Sequence, residues 1–312
     1  MPNNKMICDL ETGVCGTADE ESIPFIDLKP SKKKVDLYYI TDPICSHCWA
    51  LEPVLRRFGE QYGHYVNFHT VMGGLLEGWD GFADVKNGIG SPADVAGHWK
   101  EVGAHSRMPI DGSLWLHNPI LSSYPPSRVF KVIQQQNEHL ATVFLRRAKE
   151  AVFAHNQNIG ENLVLIDIVN QMGLDGETIV DHAELPAAQQ LLEQDFDLAR
   201  SLGVRGFPTI IMTNGSNQGV KIVGARQLEY YVKGLEQVLP TETLQVKPLP
   251  KLAQLLEKET CLFAKEIEIM YDLERNQFDS FLQKHLLPEA YTLHEILGEH
   301  YIEGSFRANS RS

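Results

Sequence analysis

The side chains with the clearest chemical potential are two cysteines that stand two residues apart, in Cys45-Ser46-His47-Cys48. An amphipathic pattern follows them, which predicts that the pair lies at the N-terminus of a helix. Free backbone N–H groups and the helix dipole at that position lower the pKa of a thiol. We therefore predict a redox dithiol in which Cys45 is the exposed attacking sulfur and Cys48 the buried resolving sulfur. His47 would add a hydrogen-bond donor or a positive charge that favours the thiolate.

Zinc coordination is the alternative for such a pair. A second Cys-x-x-Cys pair is absent, and the pair comes where a predicted strand leads into a helix, so redox chemistry is favoured. Cys8 and Cys15 could bind zinc, form a disulfide or stay free, and free thiols are the favoured interpretation. Cys261 stands alone among apolar residues, which predicts a buried, unreactive thiol. No cofactor other than this zinc is predicted, because the chain lacks a P-loop and a dinucleotide-binding glycine motif.

The sequence on both sides of the dithiol predicts the strands and the helix that must position it. β-branched and aromatic runs predict strands near 35–40, 66–71, 209–213 and 220–223. Asn214-Gly215 predicts that the last two strands form a hairpin. A helix ending near Leu239 closes the fold, which gives a domain over residues 35–242.

A long helical insertion is predicted inside that domain, over about residues 75–203. Ser91-Pro92-Ala93-Asp94 is typical of a helix start, with serine at the cap and proline at the first helical position. Gly173 and Gly203 each follow an apolar periodic run, where a left-handed residue commonly ends a helix.

The two ends of the chain differ from this domain. Residues 1–34 carry Cys8 and Cys15 without sustained periodicity, which predicts a flexible leader. Residues 250–303 predict a small winged-helix-like helical module with a hairpin near its end. That module has five Lys or Arg against eleven Asp or Glu, which favours protein binding or packing over DNA binding. Residues 304–312 are patternless and predict a disordered tail, interpreted as a cloning remnant.

Composition narrows the class of protein further. The formal net charge of −13 argues against nucleic-acid partners, because phosphate binding needs excess Lys and Arg. No apolar run approaches the length of about 20 residues that a membrane helix needs. The N-terminus lacks the apolar core of a secretory signal, so we expect a cytoplasmic protein.

Pro208, in Gly206-Phe207-Pro208-Thr209, is the second candidate site residue. The order of strand, dithiol helix, strand, helical block, hairpin and helix resembles the thioredoxin fold with an all-helical insertion. More closely, residues 35–239 resemble the DsbA-like branch of that α/β superfamily, with Ser46 in place of a proline in its Cys-Pro-His-Cys motif. The resemblance implies that Pro208 is cis and faces the dithiol, whereas an ordinary trans proline at a strand start is the alternative.

Residues 40–53 (ITDPICSHCWALEP), with the cysteine-bearing leader and the C-terminal extension, are similar to the SpxH/YjbH family. Members of that family are cytoplasmic adaptors that bind the stress regulator Spx and promote its degradation by the ClpXP protease. The resemblance therefore implies an adaptor with a redox-sensitive dithiol rather than an enzyme. The alternative is a cytosolic thiol-disulfide oxidoreductase or isomerase that uses Cys45 and Cys48.

Overall fold

The structure, a computed structural model, describes residues 7–9, 14–16, 35–84, 87–216, 218–259 and 261–305, with the backbone alone for the first two segments. It divides into two units, Met1–Lys33 and Lys34–Ser312. In the described part of the chain, no helix is both long enough and apolar enough to cross a lipid bilayer.

The first unit contains a short antiparallel strand pair. β1 (Ile7–Asp9) pairs with β2 (Val14–Gly16), and Cys8 lies opposite Cys15 in the backbone register. The sequence analysis predicts a leader without these strands, because three-residue strands are too short to show a period of two.

The second unit is built on a sheet whose strands are β3 (Val35–Thr41), β4 (Val66–Met72), β5 (Thr209–Thr213) and β6 (Gly219–Val223). Their order is β4-β3-β5-β6, with β3 parallel to β4 and β5 antiparallel to both of its neighbours. The four predicted strands are thus present in one sheet, which confirms that prediction.

The dithiol helix α1 (Ser46–Tyr62) joins β3 to β4 and is followed by a 3₁₀ turn, Gly63–Tyr65. The insertion between β4 and β5 contains α2 (Pro92–Ser106), α3 (Leu114–His117), α4 (Tyr124–Gln136), α5 (Glu138–Lys149), a π-helical turn (Glu150–Ala154), α6 (Asn162–Gln171), α7 (Gly176–Glu184) and α8 (Pro186–Ser201). The fold closes with α9 (Leu228–Val238).

The helical insertion begins later than predicted. Its first helix starts at Pro92, as the Ser-Pro signal indicates, and residues 73–84 and 87–91 form loops instead. This stretch is rich in glycine, and each glycine costs about 1 kcal/mol in a helix relative to alanine.

Helices cover both faces of the sheet. On one face, Phe58 of α1 and Tyr231 and Leu235 of α9 pack on the apolar side chains of β3 and β5. On the other face, Ala199 of α8 packs against Ile40 and the neighbouring strands. The dithiol therefore lies at the edge of a closed apolar core, at the carboxyl end of β3.

The C-terminal module is mixed rather than helical. It contains α10 (Leu252–Lys258), β7 (Cys261–Phe263), α11 (Ala264–Tyr271), a 3₁₀ turn (Arg275–Gln277), α12 (Phe278–His285), a second 3₁₀ turn (Pro288–Ala290), β8 (Tyr291–Ile296) and β9 (Glu299–Gly304). The predicted hairpin is β8–β9, and β7 adds the third strand of an antiparallel sheet. β7 is only three residues long, so its sequence gives no strand pattern, and β9 continues into the predicted tail as far as Gly304.

Ion pairs and aromatic rings join this module to the rest of the unit. Arg146 of α5 is buried and donates to both carboxylate oxygens of Glu266 at 2.8 Å, and to Glu150 at 2.6 Å. The ring of Trp49 in α1 lies edge-on to Phe263 of β7, with centroids 5.6 Å apart. Because these groups are buried, removing one charge leaves the opposite charge without compensation.

We expect Glu266→Ala to lower the free energy of unfolding by about 3–5 kcal/mol, because it leaves the buried Arg146 guanidinium short of a counter-charge. Urea unfolding followed by circular dichroism measures the change. Glu295→Ala removes an exposed carboxylate from the same module and is the matched control, with an expected loss below about 1 kcal/mol. Equal stability of the two variants would contradict this account of the ion pair.

Candidate functional site

The dithiol lies where β3 turns into α1. Cys45 is the N-cap residue, and its sulfur accepts a hydrogen bond from the backbone N–H of Cys48 at 3.3 Å. Both thiols are free and buried: Cys45 is 6% exposed and Cys48 is fully buried. The helix-start prediction is confirmed, whereas the prediction that Cys45 is exposed is wrong, because the packed fold buries the whole turn from Ile44 to Ser46.

Burial also changes which thiol ionises more readily. It raises the pKa of the Cys45 thiol well above its ordinary value, and the adjacent Cys48 thiol raises it further. Burial opposes ionisation of Cys48 as well, but the Cys45 thiol and the Lys149 ammonium outweigh it and lower the pKa of Cys48. The sequence analysis predicts the lower pKa for Cys45, and the difference arises because the Cys45 thiol and, after it, the Lys149 ammonium favour ionisation of Cys48.

That cation, Lys149, is fully buried at the end of α5. Its Nζ donates to Glu52 Oε1 at 2.6 Å and lies 3.3 Å from Thr41 Oγ1 and 3.4 Å from the Tyr39 hydroxyl. The Tyr39 hydroxyl in turn donates to the Cys48 carbonyl at 3.3 Å. The sequence analysis does not single out Lys149. The available signal was its place on an apolar helical face, four residues after the buried Leu145.

A buried carboxyl group lies in the turn just before the dithiol. Asp42 is fully buried and accepts hydrogen bonds from the backbone N–H groups of Ile44 and Leu75 and from the Ser123 hydroxyl. Burial raises the pKa of Asp42 to about 6, although these donors oppose the shift. The sequence analysis does not single out Asp42, because nothing local shows that Ser123 is brought to it.

His47 points away from this buried group. Its ring lies edge-on to His98 of α2, with centroids 5.3 Å apart. Burial lowers the pKa of His47, and the nearby His98 and His105 lower it further. These effects disfavour the positive charge that is one of the two roles expected of His47, whereas Lys149 is a cation that favours the Cys48 thiolate.

The Phe207–Pro208 peptide bond is cis, as predicted. Pro208 directly precedes β5, and its carbonyl accepts the backbone N–H of Gly224 at 2.8 Å. The Phe207 ring fills the space beside Gly73, where a Cβ would lie 2.1 Å from the ring. Glycine at position 73 is thus needed for the close approach of the proline loop to the end of β4.

A cavity of about 860 Å³ opens beside the dithiol. Its wall includes His47 of α1, His98 and His105 of α2, and Phe207 of the proline loop. Lys265 of α11 also lines it, so the C-terminal module contributes to this cavity.

Zinc binding by the leader stays a prediction, since the side chains of Cys8 and Cys15 lie outside the described residues. Within the described residues, no group of three or more His, Cys, Asp or Glu side chains is arranged to hold a metal ion. The third remaining cysteine, Cys261, is buried in β7, and its sulfur lies 3.6 Å from Glu150 Oε1.

Comparison with known proteins agrees with this geometry. Residues 38–233, more than half of the chain, match the family model described as thioredoxin. The chain belongs to the thioredoxin family. Two solved structures with that architecture are similar: a putative protein disulfide isomerase from Nitrosomonas europaea (TM-score 0.55, 20% identity, 67% of this chain and 97% of the other) and the cytosolic disulfide reductase DsbM from Pseudomonas aeruginosa (0.52, 20%, 66% and 100%). At that identity they establish the fold alone.

Curated relatives extend over more of the chain than these structures do. The ClpXP adapter protein SpxH of Halalkalibacterium halodurans is 29% identical over 293 residues, which is 93% of this chain and 94% of the relative. The protein with the same name from Bacillus subtilis is 26% identical over 257 residues, covering 81% and 83%. Both alignments are too long to be confined to residues 38–233.

Replacing Lys149 tests the origin of the thiolate. We expect Lys149→Met to raise the pH at which the reduced dithiol ionises, because the cation that favours the Cys48 thiolate is removed. Thiolate absorbance near 240 nm, measured against pH, reports the change. Lys131→Met is the matched control, since Lys131 is also a buried lysine but pairs with Asp195. An unchanged titration in Lys149→Met would refute the role given to Lys149.

The Asp42 carboxyl makes stability depend on pH. Its pKa is raised from 3.8 to about 6, so the folded state binds this proton more tightly than the unfolded chain. The stabilisation is therefore present below about pH 4 and is lost as the pH rises through about 6.

The quantity to compare is the free energy of unfolding of the parent minus that of the Asp42→Asn variant. We expect this difference to fall by about 3 kcal/mol between pH 4 and pH 7. Urea unfolding at several pH values measures it. Asp80→Asn, at an exposed loop position, should leave the same difference nearly flat. A difference for Asp42→Asn that is flat or rises with pH would be inconsistent with a buried, proton-binding Asp42.

Proposed function

We propose that this protein is an adaptor that binds the stress regulator Spx and promotes its degradation by the ClpXP protease. The observation that carries the proposal is the extent of the similarity. The relatives named ClpXP adapter protein SpxH match over as much as 93% of the chain, whereas the disulfide isomerase and reductase structures cover about two thirds of it. The match to the relative from Halalkalibacterium halodurans is too long to leave out the C-terminal module. The adaptor would act in the cytoplasm.

The surroundings of the dithiol also support a non-enzymatic role. Thiol exchange requires a partner disulfide to reach the attacking sulfur in line. Cys45 is almost entirely buried, and burial raises its pKa, so little reactive thiolate is presented at the surface. An adaptor instead holds its partners through a few large contacts, which two small cysteine side chains scarcely contribute.

The dithiol still gives a specific reason to consider the enzymatic alternative. Cys45 and Cys48 are both free, they lie at a helix N-terminus, and the Lys149 ammonium lowers the pKa of Cys48. A cytosolic thiol-disulfide oxidoreductase would use this pair as its catalytic centre, and the resemblance to the DsbA-like branch implies that the cis Pro208 faces the pair. In the adaptor, the same pair makes the protein sensitive to oxidants, since a thiolate is the form that oxidants attack.

The double variant Cys45→Ser/Cys48→Ser separates the two functions. For an adaptor, we expect it to bind Spx and to stimulate Spx proteolysis within about threefold of the parent, because little contact surface is lost. The measurement is Spx degradation by purified ClpXP with parent, variant or no added protein. Cys261→Ser, which alters the buried thiol outside the site, is the matched control.

A correctly folded double-serine variant that abolishes Spx degradation would favour the oxidoreductase. In that case, a parallel assay of disulfide exchange on a model disulfide substrate should show activity that the parent has and the variant lacks. If the parent itself does not change Spx degradation by ClpXP, the adaptor proposal fails.

A further inference from the structure

Four large apolar side chains are exposed on the helical insertion. Leu116 of α3, Leu121 after it, Leu163 of α6 and Leu185 between α7 and α8 are 58%, 70%, 80% and 50% exposed. Single exposed leucines are ordinary on protein surfaces, but a group of them marks an interaction site. The question is whether these four lie together.

Hydrogen bonds between their neighbours bring the four segments together. The Asn118 side-chain amide donates to Glu161 at 2.7 Å, which ties the segment of Leu116 and Leu121 to that of Leu163. The Asn162 amide donates to Glu184 at 2.5 Å, which ties Leu163 to the segment of Leu185.

A backbone contact supports the first of these links. A Cβ placed on Gly160 would lie 3.6 Å from Ile120 Cγ2 and 3.8 Å from the Ser122 carbonyl, so the residues on both sides of Leu121 lie against this glycine. We call Leu116, Leu121, Leu163 and Leu185 the leucine patch.

The region around the leucine patch is strongly acidic. Residues 161–201 contain nine Asp or Glu and a single Lys or Arg, Arg200. Asp195 pairs with Lys131, and Asp197 pairs with Arg200. Residues 161–201 are all described, and the other seven carboxylates have no Lys, Arg or His within ion-pair distance in the described part of the chain: Glu161, Asp167, Asp175, Glu177, Asp181, Glu184 and Glu193.

We propose that the leucine patch is a docking surface for a basic amphipathic helix of a partner protein. The apolar face of such a helix would cover the leucines, and its Lys or Arg side chains would lie beside Glu161, Asp181 and Glu184. Charge complementarity selects this occupant, since a second copy of the chain carries the same −13 net charge and an anionic membrane surface is also repelled.

The binding surface does not depend on the adaptor proposal, but its biological role does. An adaptor must hold two proteins at once. The leucine patch lies on the insertion. The cavity described above lies beside the dithiol instead and is partly lined by α11. None of the four leucines of the patch lines that cavity, so the adaptor would have two distinct surfaces for its partners.

The test uses the full chain and two synthetic 18-residue helical peptides, each with leucines along one face and either lysines or glutamates along the other. We expect the lysine peptide to bind with a dissociation constant of about micromolar order at physiological salt, and the glutamate peptide not to bind. Fluorescence anisotropy of the labelled peptides measures both.

Two pairs of variants locate the binding. Leu121→Ser/Leu163→Ser should weaken binding of the lysine peptide about tenfold, whereas Leu287→Ser/Leu297→Ser, which alters exposed leucines of the C-terminal module, should leave it within about twofold. Asp181→Asn/Glu184→Gln should weaken binding of the lysine peptide about threefold or more. Its control, Glu289→Gln/Glu295→Gln, alters the net charge equally and should leave binding unchanged.

Binding that is the same for all four variants would show non-specific attraction to an acidic protein and would overturn the proposal. No binding of the lysine peptide, or dimerisation of the chain that is lost in Leu121→Ser/Leu163→Ser, would overturn it as well. If the peptide binds as expected but Spx degradation is unaffected by the protein, the surface stands and the adaptor role fails.

Discussion

The buried guanidinium of Arg146 is the constraint on which the assembly of the larger unit depends. A buried cation is costly unless it is paired and hydrogen-bonded. Glu150 of the same helical segment and Glu266 of the C-terminal module provide the counter-charges, and the Trp49 ring lies 4.7 Å from the guanidinium. The insertion, the module and the dithiol helix must therefore all be in place for this one charge to be satisfied.

The two carboxylates around Arg146 are not equivalent. For Glu266, burial opposes ionisation, but Arg146 and Arg56 outweigh it and lower the pKa. For Glu150, burial prevails over Arg146 and raises the pKa. The surroundings therefore favour the charged form of Glu266 more strongly than that of Glu150. The neighbouring Lys149 instead donates to Glu52 of α1, the dithiol helix. The end of α5 and the π-helical turn that follows it therefore contribute both to the dithiol region and to the attachment of the module.

Short patterns in the sequence were enough to predict much of this fold. The strands and the helix that follows Cys45 were predicted, because each depends on short-range periodicity, capping or turn signals, whereas the cis bond before Pro208 was predicted from the resemblance to the DsbA-like branch. The features that were missed depend on contacts between distant segments. Lys149 reaches Glu52 across 97 residues, and the burial that raises the pKa of Cys45 comes from the packed fold rather than from its neighbours in sequence.

The buried charges beneath the dithiol also bear on how the protein tolerates a change of redox state. Disulfide formation between Cys45 and Cys48 would remove the Cys48 thiol, whose ionised form the Lys149 ammonium favours. The Lys149 ammonium would still be paired with Glu52 at 2.6 Å, so no uncompensated charge would remain in the core. Trp49 and Arg146, which hold the module, bond to neither sulfur. The contacts that carry the module can therefore persist in both redox states.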